Sequence, residues 1–534
     1  MFITMKKSLI RYTGLLALAG VLGTGCTKRF TEINTNPASY NQQIFDPNYL
    51  LTSAELAYTG SSDFAYETWR GNLIYASTLM QGLSSVIGYW AGDKYQLNPG
   101  YTAAYWGFPN DAAYPEQIKP IVDVMQSTAD KAQYKNLHQI ARILRALMLE
   151  RVTDLYGDCP YFQAGMGVYD KAYFPVYDAQ SAIYADLLKE VEAATNALDL
   201  AADKPAGDVI YKGDVTKWKK FGNTLMLRMA MRLVKVDAAT AQATVQKVIG
   251  KTFTSNDDNA FVLGDATGGR ATQNRNSQIL LGDGGQENFY TRWSNTFIDM
   301  LKTAGDPRLG KVAVTNLYVT DAIKDQNPAF NANPATQKGM PNGKDLSGIP
   351  AQDIKSAPGF TAFTDYSSPN PAMIKRNGPT FILTYAESEL LLADAGARFG
   401  IAGSAAQHYH DGVKAAMTYL SQYDPTIAVS DGDAETFVTA HPYVPASGLQ
   451  QINTQYWLHT VTMLDFYECW SNWRRSGFPA LVPVVYPNNA TNGTIPRRFP
   501  YPLDEANNNP VNYKKAHDAV PGGDLLTGRV WWDK

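Results

Sequence analysis

Long amphipathic helical periods, recurring down the chain with few strand signals between them, constrain this fold more than any other feature. From Leu137 the run LHQIARILRALMLERV sets Leu137, Ile140, Leu144, Leu147 and Met148 three and four residues apart, the spacing of one buried helix face. DAQSAIYADLLKEVEAATNAL repeats the pattern through Ile183, Leu187, Leu188 and Val191, with Asp178 as the expected N-cap. GDVTKWKKFGNTLMLRMAMRLVKV carries a stripe of Val215, Trp218, Phe221, Leu225 and Met229, with Asp214 near its start. FILTYAESELLLADAGARFG ends at Gly400, a natural C′ residue, and SAAQHYHDGVKAAMTYL follows it. LQQINTQYWLHTVTMLDFYECWSNWRR reads as one long amphipathic helix near the end. A chain of 534 residues exceeds what one ordinary hydrophobic core fills, roughly 250–300 residues, and stacked helix pairs evade that limit. The expected fold is therefore mainly α, a helix-pair scaffold of solenoid type, with long decorating loops.

Those loops run from Asn98 to Pro120, from Ser255 to Asn288 and from Asp321 to Thr380, too long to be mere connections. Strand signals are confined to AMIKR and TFILTY, which read as a short hairpin around NGP.

At the N-terminus, Lys6, Lys7 and Arg11 precede the apolar run LLALAGVL, which is too short to span a bilayer. Residues 1–25 read as a signal peptide, Cys26 as a lipidated first residue, 26–45 as an extended leader and 46–534 as one domain. Only Cys159 and Cys469 remain, so disulfides cannot be the main scaffold, and buried free thiols are expected. A net charge of -3 supplies no basic field for nucleic acid.

No short catalytic motif stands out, and no metal or cofactor is implied. His408 and His410 in HYHD sit two apart on a helix, where they cannot converge on one ion. SDGDAE, around Asp431 and Asp433, reads as a loop leading into a helix cap. Interleaved aromatics and amides on the loops do stand out. GYWAGDKYQLNPGYTAAYWGFP, from Gly88 to Pro109, holds Tyr89, Trp90, Tyr95, Tyr101, Tyr105, Trp106 and Phe108 near Asp93, Lys94, Asn98 and Asn110. A second cluster brings Asn274, Arg275, Asn276, Asp283, Asn288, Phe289 and Tyr290. Flat rings beside directional hydrogen-bonding groups suit sugars, whose C–H faces stack while hydroxyls bond, and suit polar peptides nearly as well.

The signal with Cys26, FTEINTNP, ERVTDLYGDCPYFQA, DVIYKGDVTKWKKFGNTLMLRMAMRL, DPRLGK, TYAESELLLADAGARFG and ECWSNWRRSGFP occur in this order. In them the sequence resembles the SusD/RagB family of outer-membrane nutrient-binding lipoproteins. The resemblance implies a tetratricopeptide-like helical scaffold with ligand-binding loops, acylation at Cys26 and a place on the outer face of the outer membrane. It also implies non-enzymatic capture of an oligosaccharide or peptide, delivered to a SusC-like TonB-dependent transporter. By position it points to the region of Tyr89 and Trp90 for an aromatic contact. It assigns Asp154 and Asp158 to a helix end and a turn between scaffold helices, and Arg474 and Arg475 to structural contacts. A secreted glycoside hydrolase on a helical scaffold, and a structural lid with no ligand of its own, are the alternatives.

Overall fold

In the computed structural model the described residues are 45–107 and 112–534. The expected signal peptide, Cys26, the leader up to residue 44, Phe108 and Asn110 lie outside them. The chain from Pro47 onward forms one unit. Its frame begins with α1 (Asn48–Tyr58), α2 (Lys119–Thr128), α3 (Lys135–Tyr156), α4 (Gln180–Ala197), α5 (Val215–Arg232) and α6 (Ala238–Val248). From α2 to α6 each helix packs on the next, as stacked helix pairs do. The apolar stripe of α3 drives this: Leu137, Ile140, Leu144, Leu147 and Met148 are all fully buried, each worth ~1.5–3 kcal/mol. Gly157, at φ 85°, stops the helix where a side chain would be strained.

After α6 the chain makes an excursion that includes α7 (Arg275–Leu280) and α8 (Asn295–Thr303). It returns to the frame at α9 (Tyr385–Phe399), which packs on α5 and is followed by α10 (Ala405–Thr418), α11 (Asp431–Ala440), α12 (Gly448–Met463) and α13 (Phe466–Ser476). The strands, β1 (Leu83–Ser85), β2 (Ala260–Leu263), β3 (Thr291–Trp293), β4 (Ala313–Val314), β5 (Ser368–Pro369) and β6 (Pro379–Leu383), form two-stranded antiparallel ribbons. β2 pairs with β6 and so clasps the two ends of the excursion.

Several sequence expectations are corrected in detail. TFILTY does not fold back on AMIKR; as β6 it takes β2 as its partner, over a hundred residues upstream. Asp178 does not cap α4. Its carboxylate accepts from the backbone of Tyr161 and Phe162, and Asp158 receives the Gln180 N–H at 2.8 Å. The expected long C-terminal helix breaks in two at Leu464, whose φ is 60°, and Asp465 caps the second half. Asp214 caps α5 through Thr216 and Lys217, and Ser430 caps α11. Cys159 and Cys469 are free and buried.

Buried ion pairs bind the frame together. Arg228 of α5 meets Glu387 of α9 at 2.8 Å, and Arg232 meets both Asp154 of α3 and Glu468 of α13. The Tyr456 hydroxyl donates toward Glu387 and Glu468 at 3.0 and 2.7 Å. Arg475 meets Asp394 at 3.0 Å, and Arg474 donates to the carbonyls of Asp154 and Arg497. Once desolvated, such charges are tolerable only when paired and hydrogen-bonded.

Candidate functional site

The pairing of β1 with β3 sets Leu83 against Trp293 and Ser85 against Thr291. It brings together the two loop clusters that the sequence marks, about two hundred residues apart. Behind them lies a π-helical stretch, Thr68–Ser77, a rare geometry that recurs at functional sites. The short helical turn Ala91–Lys94 packs directly on it, and only a glycine permits this: a Cβ on Gly92 would lie 2.3 Å from the Ile74 carbonyl oxygen.

On this support four half-buried or exposed rings form a band. Tyr89, 38% exposed, stands edge-on to Trp69 with centroids 5.8 Å apart. Tyr66 lies nearly parallel to Trp69 at 6.3 Å, with an interplanar angle of 24°. The Arg70 guanidinium sits 4.5 Å over Tyr66 and 5.3 Å over Tyr101. Glu287, fully buried, anchors one end: its Oε1 accepts from Trp69 Nε1 at 2.9 Å and from the Tyr89 hydroxyl. Burial and the Glu287 carboxylate together push the Tyr89 phenol well above its usual range. Gly284 and Gly285 lie tight against the band; a Cβ on either would come within 3.0 Å of Trp69 Cζ2 or the Tyr89 oxygen. Along the band, apolar faces can stack on a flat ligand while the arginine and phenol edges take hydrogen bonds.

The other residues marked in the sequence lie elsewhere. Trp90 is fully buried, as are Tyr95 and Tyr105, so the Trp90 ring faces the core and not solvent. Trp106, 6% exposed, stacks on Tyr177 at 5.7 Å and meets Tyr156 edge-on, holding its loop to the scaffold. Asp93 is buried and accepts from Asn342 and from the Gly343 N–H; desolvation pushes its carboxyl up to about 6. Asn274 caps α7. Arg275 is buried and spends its donors on the carbonyls of Ser61, Arg270, Ala271 and Gln273, with burial pushing it down to about 10. Asn276 is buried against Asn72. Asn288 is buried with both amide atoms unpartnered. Asp283 pairs with Arg376 at 2.6 Å, and half-buried Tyr290 donates to Asp321 at 2.8 Å. Tyr89 and Tyr101 therefore share one band, whereas Trp90, Trp106, Asp93 and the α7 residues belong to its support.

Sequence reasoning missed Tyr66, Trp69 and Arg70. YETWRGN, from Tyr66 to Asn72, held the signal: two rings three apart beside an arginine. Among the described residues no three His, Cys, Asp or Glu side chains gather to hold a metal ion. In the same residues no helix is long and apolar enough to cross a membrane.

Comparison with curated proteins found no match. A family model, SusD-like_2, described as "Starch-binding associating with outer membrane", matches residues 43–502. Among solved structures, a chitin-binding protein is 30% identical with a TM-score of 0.78, covering 92% of this chain and 100% of its own. A Bacteroidetes AC2a SusD-like protein is 23% identical at TM-score 0.78, with the same coverage of both chains. A SusD homolog from Bacteroides uniformis ATCC 8492 is 21% identical at TM-score 0.73, again covering 92% and 100%. The mainly helical frame agrees with these folds, and the match across most of its length makes the chain a member of the SusD-like family.

Proposed function

We propose that this protein is a lipid-anchored binding protein of the outer membrane, facing the cell exterior, that captures an oligosaccharide and passes it to a TonB-dependent transporter. The observation that carries the binding reading is the band Tyr66–Trp69–Tyr89–Tyr101. Its rings reach solvent, and Trp69 and Tyr89 are both oriented by one buried carboxylate. The starch-binding description of the family and the chitin-binding relative support a saccharide as the ligand class. The reading is non-enzymatic: the buried Glu287 carboxylate beside the rings takes hydrogen bonds from Trp69 and Tyr89 through Oε1.

Calorimetric titration with a panel of oligosaccharides tests this. Trp69→Ala and Tyr89→Ala should each weaken the best ligand by about tenfold or more, as expected of an aromatic anchor. Unchanged affinity in both variants would refute the band as the site. Release of reducing ends from the same panel would instead favour the glycoside hydrolase. Delivery is tested by purifying the lipidated protein from outer membranes, where the transporter should accompany it.

A further inference from the structure

Two arginines at the Tyr66 end of the band lack what most arginines of the described chain possess. Arg142, Arg151, Arg228, Arg232 and Arg308 each meet a carboxylate within 3.1 Å. Neither Arg70 nor Arg270 forms an ion pair within 4.0 Å among the described residues. Both lie on rings instead. Arg70 covers Tyr66 and Tyr101, and Arg270 sits 5.1 Å over Phe64. Phe64 and Tyr66 are themselves in edge contact at 5.1 Å, so the two guanidiniums flank one ring pair.

Guanidinium-on-ring contacts recur along the chain, as for ion-paired Arg151 over Tyr58 and Arg497 over Trp473; Arg70 and Arg270 differ in having no acidic or hydrogen-bonded side-chain partner among the described residues. Arg70 is half-buried, and burial disfavours its charge while no acidic side chain compensates. Asp63, exposed and adjacent in sequence to Phe64, pairs with neither arginine. Glu287 is turned to the opposite end, toward Trp69 and Tyr89. A guanidinium lying on a ring keeps its planar N–H edge free, and that edge matches a carboxylate or sulfate through two parallel hydrogen bonds.

We propose that the band selects an acidic oligosaccharide, with Arg70 and Arg270 receiving a carboxylate or sulfate ester at the Tyr66 end while the sugar rings stack toward Trp69 and Tyr89. The inference rests on the band being a saccharide platform and adds the charge of its ligand.

The test is calorimetric titration with oligogalacturonate (carboxylate only), carrageenan oligosaccharide (sulfate only), and neutral malto- and chito-oligosaccharides. One acidic probe should bind about tenfold or more tighter than both neutral ones, the gain of a charge-assisted contact. The preferred probe identifies which anion is taken. In the unaltered protein that preference should shrink as salt rises from about 50 to about 300 mM. R70Q with R270Q should cut the acidic-to-neutral ratio by about tenfold, while R70K with R270K should retain part of it. Neutral probes binding as tightly as acidic ones would overturn the proposal and leave the platform standing. An acidic preference indifferent to salt and to R70Q with R270Q would overturn it too. Binding of no saccharide would sink both.

Discussion

Glu67→Gln should make the protein less sensitive to alkaline pH. Glu67 lies between the band residues Tyr66 and Trp69 in the chain and is 3% exposed, with the Thr68 hydroxyl donating to its Oε2 at 2.8 Å. Burial pushes its carboxyl up from 4.5 to about 7, only partly opposed by Thr68 and by the Arg151 charge. In the unfolded chain the proton leaves near 4.5; in the folded protein it stays until about 7. The folded state therefore holds the extra proton between those values, and stability falls as pH climbs through them. At ~1.4 kcal/mol for each pH unit, the cost reaches about 3 kcal/mol above pH 7. Glutamine is neutral throughout and can still accept from Thr68. The variant should match the parent near pH 4 and exceed it near pH 8.5. For a chain of this size, with ~2.1 cal/mol/K of unfolding entropy per residue, that advantage is on the order of 3 °C. Thermal unfolding of both proteins across that pH range is the assay. A difference in Tm that does not grow with pH, or that reverses sign, would refute the reasoning.

Arg228→Met strips Glu387 of its partner at 2.8 Å and leaves that buried charge uncompensated, so it should destabilise by about 3–5 kcal/mol in chemical unfolding. Asp214→Ala removes the α5 cap and should cost about 1 kcal/mol by the same measurement, with no change in saccharide affinity.

The frame was legible because burial of a helix face leaves a periodic trace. The stripes of α3, α4 and α5 could be read directly, and the caps at Asp214 and Ser430 use side chains suited to the role. The break between α12 and α13 was not legible. Leucine rarely adopts a left-handed conformation, and Leu464 is held in it by tertiary contacts, among them the Asn72 amide on its carbonyl. The partner of β6 was hidden for a similar reason, since its local sequence fits a hairpin and only the packed excursion supplies β2. At the site, aromatic density found the right neighbourhood but could not sort rings by depth. Tyr89 and Trp90 are consecutive, yet one is 38% exposed and the other fully buried. Trp69 and Arg70 escaped because they lie on a π-helical turn, which has no periodic signature of its own.

The two hydrogen bonds that converge on Glu287 bear on how the band meets its ligand. An isolated surface tryptophan or tyrosine samples several rotamers and must surrender them on binding, at ~0.5–1.5 kcal/mol per side chain. Trp69 and Tyr89 are both tied to one buried carboxylate. Much of that ordering cost is met when the protein folds. A band ordered in this way would give up little side-chain freedom in taking up a flexible chain.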